Sequence, residues 1–217
     1  MRARGIAVGF LLAIAGAAHA GDPQGLRFEE VFQQDTGTAP LHYRARYVAG
    51  DAENALEVWV DRGTRLKRVT DAALELHAER ASLDDDFRMT VLDLHRHIAT
   101  RVDRTSLYRL GHFTDWFELA QGLRHPRGDY RLERIAPPTS AMRAVEPCDW
   151  FALTQEGRTT HICWSATSRL PLLVLSARGE TLWRVTGFDR APLAAQVFEV
   201  RDEGFVRNDA SRDIGED

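Results

Sequence analysis

Two histidines, two cysteines and one serine are the residues of this chain whose types and spacing could support chemistry. His95 and His97 stand at i, i+2, with Asp93 and His112 close by in sequence. In a strand, the two imidazoles would point to one side and could share a metal ion, with Asp93 or His112 as third ligand. The plainer reading is a polar, solvent-facing strand edge, because Arg96 and Arg101 flank the pair. Ser165 lies beside Trp164 and near His161, but no acid is placed to orient the histidine, so the sequence reads it as a hydroxyl on the polar face of a strand. The chain has no G-x-S-x-G elbow, no H-E-x-x-H and no glycine-rich phosphate loop. Asp84-Asp85-Asp86 lacks EF-hand spacing and reads as a loop tip. The expectation is a protein without catalytic activity and without a cofactor.

Cys148 and Cys163 are the only cysteines. Residues 150–154 and 159–164 both read as strands, and Gln155-Glu156-Gly157-Arg158 between them is a turn in which Gly157 is free to take a positive φ. Folded symmetrically about that turn, Cys148 falls opposite Cys163, Trp150 opposite His161 and Ala152 opposite Thr159. All six then share one face. That geometry suits a disulfide better than a metal-binding or catalytic thiol pair.

The redox compartment follows from the start of the chain. Arg2 and Arg4 precede an apolar run from Ile6 to Ala18, and Ala18-His19-Ala20 is a small-x-small cleavage site. This is the layout of a secretory signal peptide, residues 1–20, cleaved after Ala20. The run is too short to cross a bilayer, which takes about 20 residues, and no later stretch is apolar enough to do so. A periplasmic location permits disulfides. The 217 residues carry a net charge of −4, with 28 basic and 32 acidic side chains, and Lys67 is the only lysine. Acids and bases are interleaved without a basic block, which gives nucleic acid no electrostatic footprint.

Short alternating runs dominate the remainder. Strand patterns occupy 42–49, with Tyr43, Ala45 and Tyr47 on one face, then 55–60, 65–69, 73–80 and 87–94, spaced as an antiparallel meander. The inward face of 55–60 is ambiguous, because Val58, Trp59 and Val60 are consecutive. Leu26 to Gln34 offers about two helical turns. Thr114 as N-cap, Asp115 in the first turn and Phe117, Leu119 and Ala120 mark a helix that ends at Gly122 and Pro126. Strands resume at 130–135, at the cysteine hairpin, at 170–175 and at 182–188 around Ala177-Arg178-Gly179-Glu180. Gln196 to Val200 is the last strand expected. Residues 21–200 form one domain, and 201–217 a polar, acidic tail with a frayed end.

Three stretches resemble the periplasmic lipoprotein-carrier superfamily that includes LolA, LolB and the N-terminal domain of RseB. ALEVWVDRGTRLKRVTD (55–71) looks like its early strands, where a tryptophan-bearing strand turns into an arginine-rich one. CDWFALTQEGRTTHICWSATSRLPLL (148–173) resembles its central hairpin, and TLWRVTGFDRAPLAAQVFEV (181–200) its closing strands. The resemblance implies an α+β, mainly β chain: a curved antiparallel sheet forming an incomplete half-barrel, with short helices across its concave face. It also implies an apolar cavity that would hold a lipid acyl chain, a lipoprotein's acyl chain or an apolar protein segment. Lining candidates are Val58, Trp59, Met89, Val91, Trp116, Phe117, Trp150, Trp164, Leu172 and Trp183. The same residues could equally fill a core. Two other readings stay open: an RseB-like regulator that meets a periplasmic protein partner through a sheet edge or the acidic tail, and a metal-binding protein using His95 and His97.

Overall fold

Tight turns set the architecture. In the computed structural model, which describes residues 25–32, 39–83, 86–102 and 115–209, consecutive strands return on themselves through short connections. The first six are β1 (Leu41–Ala49), β2 (Ala52–Asp61), β3 (Arg65–Thr70), β4 (Leu74–Glu79), β5 (Arg88–Asp93) and β6 (Ile98–Val102). The next six are β7 (Tyr130–Ile135), β8 (Asp149–Gln155), β9 (Arg158–Ser165), β10 (Leu170–Ser176), β11 (Thr181–Asp189) and β12 (Val206–Asp209). All twelve lie in one open, curved sheet in the order β12-β6-β5-β4-β3-β2-β1-β11-β10-β9-β8-β7. Every pairing is antiparallel except β12 with β6, which is parallel. The mainly β expectation holds. The predicted signal segment 1–20, His112, Thr114 and Asp84-Asp85 lie outside the described residues.

Period-two burial divides the side chains. In β2, Leu56, Val58 and Val60 are buried with Tyr43, Ala45, Leu66, Leu76, Ala78 and Met89 in the larger apolar cluster, which defines the inner face. This resolves the ambiguous run, and Trp59 points outward. In β7–β9 the other face is apolar as well: Phe151, Ile162, Trp164 and Leu132 form a second cluster with Phe28, Phe32, Phe117 and Leu123.

Short helices were expected across the concave face, and the two described helices do not bear this out: one packs on the outer cluster and the other sits where the two clusters meet. α1 (Phe28–Val31) is a single turn rather than two. Its Phe28 and Phe32 pack on the outer cluster, Phe32 edge-on to Phe151 and Trp164 at centroid distances of 5.4 and 5.3 Å. α2 (Trp116–Gln121) gives Trp116, Leu119 and Ala120 to the inner cluster and Phe117 to the outer one, so it sits where the two meet. Its N-cap is Asp115, whose Oδ1 accepts from the Glu118 N–H at 2.6 Å, one residue later than the sequence suggested. Gly122 closes it at φ 76°, and a Cβ there would run into the Trp183 ring. Buried Tyr43 donates its hydroxyl to the Ala120 carbonyl at 3.0 Å, and Arg68 donates to that of Leu119 at 3.1 Å, which ties α2 to the sheet.

The cysteine hairpin is shifted by one pair from the expected register. Gln155 pairs with Arg158, which leaves a two-residue turn of Glu156 (φ 50°) and Gly157 (φ 73°). Positive φ at both central residues is the type I′ geometry that matches strand twist. Cys163 therefore faces Trp150, and His161 faces Ala152. Because side chains repeat every two residues, the shift keeps the same set on one face. Cys148 still reaches Cys163 diagonally, with Cα atoms 5.4 Å apart, and the disulfide forms.

Beyond β11 the chain departs from expectation. Residues 196–200 do not form a strand; Ala195–Phe198 is a 3-10 turn. The segment 190–205 then crosses the outer face as a strap and delivers β12, within the stretch read as a polar tail, to the free edge of β6.

Candidate functional site

The outer face beneath the strap is built from a single cross-strand row. Asp189 pairs with His42, His42 with Trp59, Trp59 with Lys67 and Lys67 with His77. The row continues through Thr90 and Arg101 to Asp209 of β12. One polar or aromatic side chain per strand thus lines up across eight strands, because the register holds and alternation sends them all outward.

Its first half is a closed electrostatic chain. The His42 ring stacks on Trp59 at 4.9 Å and 5° and lies between Glu57 (2.8 Å) and Asp189 (3.0 Å). The Lys67 ammonium lies 5.8 Å from the Trp59 ring centroid and pairs with Glu75 at 2.9 Å, and Glu75 also meets His77 Nε2 at 2.6 Å. Burial works to raise the Glu75 carboxyl, but hydrogen bonds from His77 and Lys67 outweigh it and hold its pKa below the ordinary value. Glu57 is lowered in the same way, with His42 and Arg44 overcoming the effect of burial.

The second half is open. A cavity of about 550 Å³ lies where β3–β6 meet the strap, lined by Arg65, Arg88, Arg101, His77, Glu79, Thr90 and Asp209, with Phe198 and Val200 from the strap. Arg65 pairs with Asp61 and lies 4.8 Å over the Phe198 ring. Among the described residues, Arg88 and Arg101 form no ion pair. A second cavity of about 410 Å³ lies farther along the strap, between Lys67, Glu75, Leu92 and Val197. Arginine forks beside apolar strap residues suit a carboxylate carried on an amphipathic chain.

The sequence candidates scatter. Val58, Met89, Trp116, Trp150, Leu172 and Trp183 are buried in the inner cluster, with Val91 packed against it. Phe117 and Trp164 belong to the outer cluster, and Trp59 stands in the polar row. Trp183 donates its indole N–H to the Pro171 carbonyl at 2.7 Å. His95 and His97 lie in the turn between β5 and β6, so the strand geometry that would have paired them is not met. Asp93 caps that turn by accepting from the N–H groups of His95 and Arg96, and the His97 ring stacks on Phe205 at 5.1 Å. Among the described residues, no three His, Cys, Asp or Glu side chains converge on a metal-sized site. Ser165 is buried rather than on a polar face, and its Oγ accepts from Thr167 and Ser168 N–H at 3.1 Å each.

The disulfide lies under the proline-flanked segment 137–147, against a cavity of about 530 Å³ that also touches Trp150. Sequence reasoning missed Arg88, Arg101 and the strap. The signal was present in the row itself, since Lys67, His77, Thr90 and Arg101 align once the meander is registered by its turns.

No family model matches the chain, and no curated protein matches it. Among solved structures, it is similar to MucB at a TM-score of 0.43 and 15% identity, over 82% of this chain and 63% of MucB. It is similar to MucB in complex with MucA(peri) at 0.40 and 17% identity, over 77% and 56%. A structure of PNGF-II is similar at 0.28 and 7% identity, over 81% and 32%. The chain thus spans less than two thirds of each of these structures.

Proposed function

We propose that this chain is an exported, non-catalytic protein-binding module that holds a segment of a partner protein on the outer face of β3–β6. The observation that carries this reading is the cavity beneath the strap, where Arg88 and Arg101 stand without an ion pair among the described residues, beside Phe198 and Val200. Cationic forks next to apolar surface recognise carboxylates presented by a peptide. An acyl chain would instead need the inner cluster to open, and there Val58 and Leu172 are fully buried against neighbouring side chains. Export follows from the residue pattern of 1–20, and no helix among the described residues is long and apolar enough to cross a membrane. The complex of MucB with MucA(peri) agrees with a protein partner, but the reading stands on the cavity.

The test is site-specific photo-crosslinking in the periplasm from position 88, with position 178 in the β10–β11 hairpin as control. Position 88 should capture one protein that position 178 does not, and Arg101→Glu should abolish the capture. Native mass spectrometry and lipid extraction of the same sample supply the counter-result. A stoichiometric lipid with no protein crosslink would overturn the reading in favour of an acyl-chain carrier.

A further inference from the structure

We infer that β12 occupies the partner's own docking edge, so that binding proceeds by strand exchange at β6. The inference rests on the protein-binding reading and names the place and mode of that binding. The occupant now in place is an extended segment of this chain. Phe205 stacks on His97, the Val206 N–H donates to the His97 carbonyl at 2.8 Å, and Asp209 ends the strand opposite Arg101. The partner that fits is therefore an extended peptide with an aromatic residue followed four positions later by an acid, adding a parallel strand to β6.

Several features make this strand replaceable. Among the described residues β12 is the only strand paired in parallel, and no hairpin holds its register. All four of its residues are exposed, and Val206 reaches 64% exposure, so none of the strand's own side chains is buried and Phe205, just before it, supplies the stacking contact on His97. The strap that delivers it spans the two cavities described above, of about 550 and 410 Å³, rather than packing flush on the sheet. Beneath it, Leu92 and Ala99 are buried on the outer face, at 0% and 2% exposure. That apolar step would be uncovered as the strap lifts and covered again by the incoming chain. Charge points the same way. Residues 202–217 hold Asp202, Glu203, Asp209, Asp213, Glu216 and Asp217 against Arg207 and Arg212, and Asp209 lines the cavity together with Arg65, Arg88 and Arg101.

The probe is a fluorescent peptide of residues 203–217, titrated into the full-length protein and into an Ile98→Cys/Val206→Cys variant. These two positions are register partners, so a disulfide between them locks β12 to β6. The unlocked protein should bind the peptide weakly, because the tethered strand competes and lowers the apparent affinity by the fraction of molecules that are open. The locked protein should bind at least about tenfold more weakly, or not at all. Hydrogen exchange should show Val206–Asp209 losing protection as peptide binds while β6 keeps its own. Failure of the full-length protein to bind at about 1 mM, or equal binding by the locked form, would overturn the inference. The two readings fail separately. A crosslinked partner unaffected by the lock would leave a protein-binding module without strand exchange. Peptide binding without a crosslinked partner would leave the exchange without the proposed function.

Discussion

The two ends of this sheet are built on opposite principles. In β8 and β9, adjacent residues go to different apolar clusters: Trp150 and Cys163 to the inner face, Phe151 and Ile162 to the outer. Burial on both sides and a covalent cross-link pack the end of that hairpin away from its turn, where Trp150, Phe151, Ile162, Cys163 and Trp164 are all buried. In β3–β6 the inner face is apolar, and the outer face carries Lys67, Glu75, His77, Thr90, Arg88 and Arg101 beside buried Leu92 and Ala99, under a strap that leaves cavities. One half is packed for stability and the other keeps charged groups at a cavity. The division matches the general pattern in which binding elements come from the less stable parts of a domain.

The largest expected effect lies in the two-sided half. Phe151 is buried, with Phe32 edge-on to it at 5.4 Å and the Arg134 guanidinium 5.3 Å from its ring. Phe151→Ala should cost about 3–5 kcal/mol, the range for deleting a buried aromatic ring, measured by urea denaturation. A loss below about 1 kcal/mol, the level typical of surface sites, would mean that the outer cluster is not a true core. Next comes the cross-link. Cys148 and Cys163 are 15 residues apart, and a loop of that size stabilises by about 3 kcal/mol in the chain-entropy model. The double Cys148→Ala/Cys163→Ala variant should melt correspondingly lower. An unchanged melting temperature would show that packing alone holds the hairpin.

The same contrast explains what was legible in the sequence. Alternation and glycine turns place the meander, because period two and hairpin geometry are local. The cysteine pairing was legible even though the register was displaced, since a shift by one full pair keeps every side chain on its face. Trp59 could not be assigned from a run of three apolar residues, and only pairing with β1 and β3 turns it outward. The strap was illegible for a different reason. Gln196 to Val200 has strand-like composition, but its neighbours in space belong to β3–β6, more than a hundred residues away in places, so nothing local shows that it crosses the sheet. The arginine site inherits that blindness, because Arg88 and Arg101 share a cavity only with Phe198 and Val200 of the strap forming part of its wall.

A smaller effect sharpens the comparison where α1, α2 and β7–β9 converge. The His125 ring lies 4.9 Å from Phe28 and 5.0 Å from Phe117, and its Nδ1 is 3.3 Å from Asp115 Oδ2. The hydrogen bond to Asp115 raises the His125 pKa above its ordinary 6.5, against burial and with help from Asp115, Glu29 and Glu118. Asp115 is pushed up by burial and pulled down further by His125 and backbone N–H groups, so it ends below its ordinary 3.8. A raised histidine stabilises fully below its unfolded pKa, and the contribution fades as pH rises through the folded value. A depressed aspartate stabilises above its unfolded pKa and loses that contribution as pH falls. The pair is therefore strongest between these limits. His125→Gln should flatten the decline in melting temperature on the alkaline side of pH 6.5, by under about 1 kcal/mol given its partial exposure. A slope unchanged by the substitution would remove this pair from the outer cluster's stability.

The smallest effect should come from the strap. Phe198 is half-buried at the end of a 3-10 turn, and its described ring contact is Arg65 at 4.8 Å over an open cavity. Phe198→Ala loses that cation–π contact, worth about 0.5–1 kcal/mol at an exposed site, and little packing, because the cavity already leaves the ring short of neighbours. Urea denaturation should therefore barely move. Hydrogen exchange should respond more, with faster exchange at Val206–Asp209, because a loosened strap opens without unfolding the sheet beneath it. The pairing of the two measurements carries the argument. If Phe198→Ala destabilises the whole protein as much as Phe151→Ala, the strap belongs to the core and the sheet has no weaker half. If global stability holds while β12 loses protection, the charged half opens independently of the cross-linked one, as exchange at β6 requires.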